Sequence, residues 1–264
     1  MARRSNPGLP LSTTLISTLF PLLCYLAYNI IVPQVEKLRP SLSVIMNLQR
    51  RRWVANAAVR HSPFDAILSG NIMGSVSFLA STAVLLILSI FAVFGQVPAF
   101  ISALNSLSVH RVYTPLDVQL HLLVMLAMFV MAFFAFTLSL RQFNHFCIML
   151  GAIDQDNGTT EAELDAITRM NALGAANFNS GIRAYYFSVA TVAWFVSDWL
   201  PIATCLLTIL ILAHREFFSS AHRTAASAAV IAARRQQGRA VTPAGPSVAT
   251  PARRDGDAGT SQSL

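Results

Sequence analysis

Charge is what this chain has least of. Only 12% of its 264 residues are Asp, Glu, Lys or Arg, against about 25% in ordinary soluble domains. The deficit falls in blocks, with apolar runs of about 20 residues recurring, and that pattern excludes a soluble hydrophobic-core protein in favour of a membrane one. Lysine is nearly absent: of 19 basic residues, only Lys37 is not arginine. The resulting charge of +7 accompanies no nucleic-acid motif, so it reads as the basic side of a membrane protein and no nucleic-acid partner is expected. Cysteine is sparse and odd in number. Cys24, Cys147 and Cys205 show no CxxC spacing and lie in or beside apolar runs, so neither a disulfide framework nor a metal site is expected. HExxH, GxSxG, a P-loop and paired intramembrane acids are all missing, leaving catalysis without support and no cofactor indicated. The run from Asp154 to Gly158 resembles a calcium loop, but its glycine is at the fifth position and no Glu stands at the twelfth, so it is rejected.

What is present is hydrophobicity: 54% apolar residues and a mean hydropathy of +0.54. Residues 1–10 form a polar leader with Arg3 and Arg4. Residues 11–32 form a first span, too long for a signal-peptide core and lacking a small-residue cleavage site. The loop 33–69 is basic, and Ser41 to Arg60 is free of Pro and Gly, so a helix is expected there. Arg50, Arg51, Arg52 and Trp53 within it suit an anionic lipid headgroup surface, although ordinary loop charge is the plainer explanation. A second span covers about 71–94. Gly70 and Gly74, with Ser77 and Ser81, place small residues on one face, where another helix can approach. Gly95 to Val118 is read as a loop. The third span, about 119–140, is expected to continue as helix to Gly151. Thr160-x-x-Glu163 is a capping box that starts the next helix.

The stretch 172–213 decides the topology. Crossed once, it buries Asp198 near mid-membrane at a cost of roughly 2.5–3.5 kcal/mol and puts Pro201 inside a helix. Crossed twice, at about 175–196 and 199–216, it turns at Ser197-Asp198-Trp199. Ser197 or Asp198 then caps the new helix, Pro201 sits in its first turn, and Trp194 and Trp199 occupy the aromatic belt. Charge agrees. Five spans leave Arg3, Arg4 and Arg111 on the N-terminal side and the other sixteen basic residues opposite, whereas four spans divide them ten to nine. The expected architecture is therefore an all-α, multi-pass transmembrane helical bundle of five spans over residues 11–218, with four spans the alternative. The N-terminus is expected outside and the C-terminus in the cytoplasm. Residues 219–264 form a tail, Ala/Arg-rich and helix-compatible to about Arg239, then disordered in composition.

Five spans bring Asn71, Arg141, Gln142, Asn144, Asn177, Asn179 and Arg183 toward the cytoplasmic half. Asn179 and Arg183 share a helix face. Groups at that depth need partners or water. The cluster serves either as a polar or anionic solute site or as helix-joining hydrogen bonds with headgroup-seeking arginines, and the second is the more ordinary outcome. A membrane scaffold or assembly subunit is thus the first functional expectation, and a small solute or ion carrier the alternative. Expected partners are the bilayer, anionic headgroups, and further copies or other membrane proteins.

Several segments carry a resemblance. RRRW at 50–53, GNIMGSVSFLAST at 70–82, AFFAFTLSLRQFN at 132–144 and AANFNSGIRAYYF at 175–187, followed by AWF, W and a terminal REF, resemble the uncharacterised membrane-protein family called domain of unknown function 599. The similarity runs from roughly Leu11 to Ser219, and RQFN and FNSGIRAYYF are its most specific parts. The resemblance implies a bacterial-type integral membrane protein, and the inner (cytoplasmic) membrane is the expected location. The resemblance implies no substrate and no catalytic residue.

Overall fold

The computed structural model describes residues 11–60, 63–106, 113–154, 158–197 and 199–241. Among them the chain is helical throughout: α1 Leu11–Leu38, α2 Leu42–Ala57, α3 Phe64–Phe94, α4 Val97–Ser106, α5 Pro115–Gly151, α6 Glu161–Val192, α7 Leu200–Phe217 and α8 Ser220–Val241. A short 3₁₀ turn, Ala193–Phe195, closes α6.

Local signals account for most boundaries. Thr160 Oγ1 accepts from Glu163 N while the Glu163 carboxylate accepts from Thr160 N, so the capping box at the start of α6 forms as expected. Ser41 caps α2 and Thr114 caps α5, each through its side chain. Pro201 lies in the first turn of α7, but Trp199 holds the N-cap position without a side-chain bond. The cap assigned to Ser197 or Asp198 is corrected to that extent, and Asp198 itself lies outside the described residues. Helix α1 runs on through Pro33, six residues past the expected end of the first span, and α3 starts seven residues earlier than its expected span. The segment 95–118, read as a loop, contains α4. Val97 and Leu104, seven apart, are its buried pair, a helical period too short to stand out in a ten-residue segment.

Helix α6 lies antiparallel along α5, and the pair forms the centre of the bundle. Their register runs from His121 beside Thr191, where His121 Nε2 is 2.7 Å from the Thr191 carbonyl, to Ser139, which donates to the Gly174 carbonyl at 2.7 Å. Three apolar layers follow this axis. At one end Trp194, Leu122 and Val118 pack with Val97 and Leu104 of α4. In the middle Tyr25, Tyr28, Val76, Phe136, Phe187 and Cys205 join α1, α3, α5, α6 and α7. At the other end Val54 of α2 meets Phe146 and Ile167. Helix α8 packs on α2 at this end, where His222 Nε2 is 3.0 Å from the Pro40 carbonyl.

Gly174 and Gly181 set the spacing of α5 and α6. A Cβ at Gly174 would lie 3.0 Å from the Phe143 ring, and one at Gly181 would lie 2.6 Å from the Phe136 ring. The two glycines are seven apart, as are the two phenylalanines, so two rings enter two notches on matching faces. The pair at Gly70 and Gly74 differs. No described atom lies within 4 Å of a Cβ at either, and Ser77 and Ser81 on the same face are exposed. The expected close approach to this face is therefore not made by another described helix of this chain.

The outer surface is apolar. Ile16, Leu23, Phe78, Leu85, Phe134 and Leu210 are all exposed, which suits hydrocarbon. Four segments are long and apolar enough to cross a membrane: Leu15–Leu38, Phe64–Phe94, Pro115–Gly151 and Leu200–Ile231, the last taking in α7 and part of α8.

Candidate functional site

Arg183 is held in a clasp built from three helices. Its Nη2 donates to Glu216 Oε1 of α7 at 2.5 Å, and its Nη1 donates to Asn29 Oδ1 of α1 at 3.1 Å. The Tyr28 hydroxyl donates to the other Glu216 oxygen at 3.3 Å, and the Arg183 guanidinium carbon lies 5.1 Å from the Tyr28 ring centre. Asn29 is aligned in turn by its Nδ2, which donates to the Tyr25 carbonyl. The Arg183 and Glu216 side chains are 11% and 17% exposed, so the charges neutralise one another largely out of solvent. A charge at such depth persists when paired and hydrogen-bonded. One turn on, Arg215 Nη1 donates to the Tyr186 hydroxyl at 3.1 Å. Tyr185 ties α6 to α3 by donating to the Leu79 carbonyl at 2.7 Å.

The other expected members of the polar cluster lie elsewhere. Asn177 Nδ2 donates to Gln142 Oε1 at 2.7 Å, a hydrogen bond between α6 and α5. Asn71, Arg141 and Asn144 are exposed on their helices, and none of them joins the Arg183 clasp. Asn179 shares a face of α6 with Arg183 in sequence spacing, but it lines a separate cavity. Glu216, Asn29 and Tyr28, which complete the clasp, have no local sequence signal.

The basic residues of α2 are also distributed among partners. Arg51 pairs with Glu161 and, at 2.7 Å, with Asp165 in the first turns of α6. Asp165 first, then Glu161, holds its guanidinium pKa above the ordinary value. Trp53 turns inward. Its Nε1 donates to Asp65 at 2.6 Å and its ring packs 5.3 Å from that of Phe146. Arg52 donates to Gln49 Oε1 at 3.3 Å. Arg50 donates to Asn47 at 2.9 Å, and burial lowers its pKa. Trp194, expected in an aromatic belt, is instead fully buried and stacked on His121, with ring centres 4.4 Å apart. The 3₁₀ turn that continues α6 places the indole among Val118, Leu122 and His121 of α5.

Between α2, α3, α5 and α6 lies a cavity of about 590 Å³, within the 300–1,000 Å³ range of small-molecule sites. Helix α2 lends Met46, Gln49, Arg50 and Trp53, an i, i+3, i+4, i+7 face. Helix α3 contributes Ile72, Ser75 and Val76, and α6 contributes Asn171, Ala175, Phe178 and Asn179. The cavity lies at the end of the bundle that carries α2 and α8.

A helical bundle with four membrane-length apolar segments and an internally paired arginine is a membrane protein. The chain belongs to DUF599, a family of proteins of unknown function, whose family model matches residues 16–221. That span contains the whole clasp and every cavity residue. No curated protein and no solved structure matches the chain.

Proposed function

We propose that this chain is a five-crossing protein of the bacterial inner membrane, its N-terminus outside and its C-terminus in the cytoplasm, that acts as a scaffold or assembly subunit. Helix α6 is too polar to count by hydropathy, yet it accompanies α5 across three core layers. It also exposes Val189 and Val192, a surface suited to lipid. The short α7 is lengthened by the residues around Phe218, and the basic α2 and α8 meet at one end, as the positive-inside rule favours.

The observation that carries the assembly reading is the contrast between two glycine pairs. Gly174 and Gly181 admit rings from this chain, whereas Gly70 and Gly74 leave open a small-residue face on an apolar helix. Such faces admit close helix packing in membranes. The interior polar groups support the same reading, because Arg183, Asn177 and Gln142 are engaged within the bundle. The basic cytoplasmic end remains available to anionic headgroups.

A photo-crosslinking side chain at Ser77 tests this in intact membranes. A discrete adduct to a second polypeptide, another copy or another membrane protein, is expected. It should disappear on Gly74→Leu with the protein level unchanged. Lipid adducts alone, or an adduct indifferent to Gly74→Leu, would overturn the reading.

A further inference from the structure

The cavity between α2, α3, α5 and α6 contains hydrogen-bond donors that nothing in the described structure uses. Asn171 is 3% exposed, lines the cavity, and its Nδ2 has no partner. Gln49 Nε2 is buried and equally without a partner, while its Oε1 is taken by Arg52, which turns the amide N–H groups away from that arginine. A buried amide left unpaired is costly, and two of them on residues that line one cavity mark a place for an acceptor. Arg50 stands beside Gln49 on the same wall, and none of the lining residues is acidic. Apart from Ser75, Asn179 and the Trp53 indole, the rest of the wall is apolar, and Ile72, Val76, Phe143 and Phe178 belong to it.

We propose that this cavity binds an anionic amphiphile. Its carboxylate or phosphate head accepts from Asn171, Gln49 and Arg50, and its acyl chain lies along Ile72, Val76, Phe143 and Phe178. A guanidinium with two amides matches the multiple acceptor oxygens of such a head. A neutral polar solute would leave the apolar wall uncovered, and a plain hydrocarbon would leave the donors unpaired. The head could belong to a free fatty acid or to a membrane phospholipid, since both present anionic acceptor oxygens on an acyl chain. Occupancy is independent of whether the α3 face meets a partner.

Trp53 lines the cavity and serves as the probe. The full chain in a non-ionic detergent is titrated with dibromostearic acid, dibromo-phosphatidylglycerol and dibromo-phosphatidylcholine, whose bromines quench a nearby indole. Saturable quenching by at least one anionic ligand, absent in Trp53→Phe, is expected. Asn171→Leu should weaken it at least tenfold without lowering the thermal midpoint, since it removes an unpaired donor, and Gln49→Leu, which also gives up the Arg52 hydrogen bond, should weaken it likewise. Ala175→Leu, which fills the space from α6, should abolish it. Quenching by the acid alone identifies a free fatty acid, by phosphatidylglycerol alone a lipid headgroup, and by both the shared chemistry. No saturable quenching by either anion, equal quenching by phosphatidylcholine, or unchanged affinity in the Leu variants would overturn the proposal.

Discussion

The backbone of Gly181 lies against the ring of Phe136, so close that a methyl group on Gly181 would come within 2.6 Å of the ring carbon Cε1. Phe136 is fully buried, and its ring cannot withdraw without displacing its neighbours Phe178 and Tyr185. Gly181→Ala should therefore destabilise the bundle by about 1–3 kcal/mol, the usual cost of overpacking. Phe136→Leu in the same chain should recover part of that loss. Thermal unfolding in detergent of the two single variants and the double variant measures the coupling.

Removing one partner of the Arg183–Glu216 pair strands a charge among three helices. Arg183→Met alone or Glu216→Leu alone should cost about 3–5 kcal/mol, and the double variant should lose distinctly less. The readout is the thermal midpoint and the protein level in membranes. A Glu216→Leu variant as stable as the parent would remove the clasp from the list of forces holding α1, α6 and α7 together.

The capping box at α6 gives a pH dependence of defined sign. The Thr160 backbone N–H, then its hydroxyl, holds the Glu163 carboxyl below its ordinary value of 4.5. The ionised carboxylate is thus favoured in the folded state, and its contribution is present above 4.5 and fades as pH falls through the lower folded value. Hydrogen exchange in the first turn of α6 should accelerate across that acidic window, and Glu163→Ala should flatten the response.

The capping box and the presence of long apolar helices could be read from sequence because their causes are local: a Thr three residues from a Glu, or an apolar run of membrane length. The clasp could not. Arg183 was visible as an embedded charge, but Glu216 lies 33 residues on and Asn29 lies 154 residues back. Only the fold brings the three helices together. The purpose of Gly174 and Gly181 appears only when the rings of α5 are set beside them. Asn171 carried no signal of its own, since an amide is notable only once its surroundings leave it without a partner. Trp194 followed the general habit of tryptophan at membrane surfaces until the turn after α6 folded it onto His121.

The five-crossing arrangement is tested most directly by the side of the membrane on which Ser219 lies, between α7 and α8. Paired reporters fused after Ser219, one active only in the cytoplasm and one only outside, should give the cytoplasmic signal, matching a reporter placed in the basic segment 33–69. An external signal would contradict five crossings. It would leave α6 as a surface helix and place Asp198 inside the bilayer.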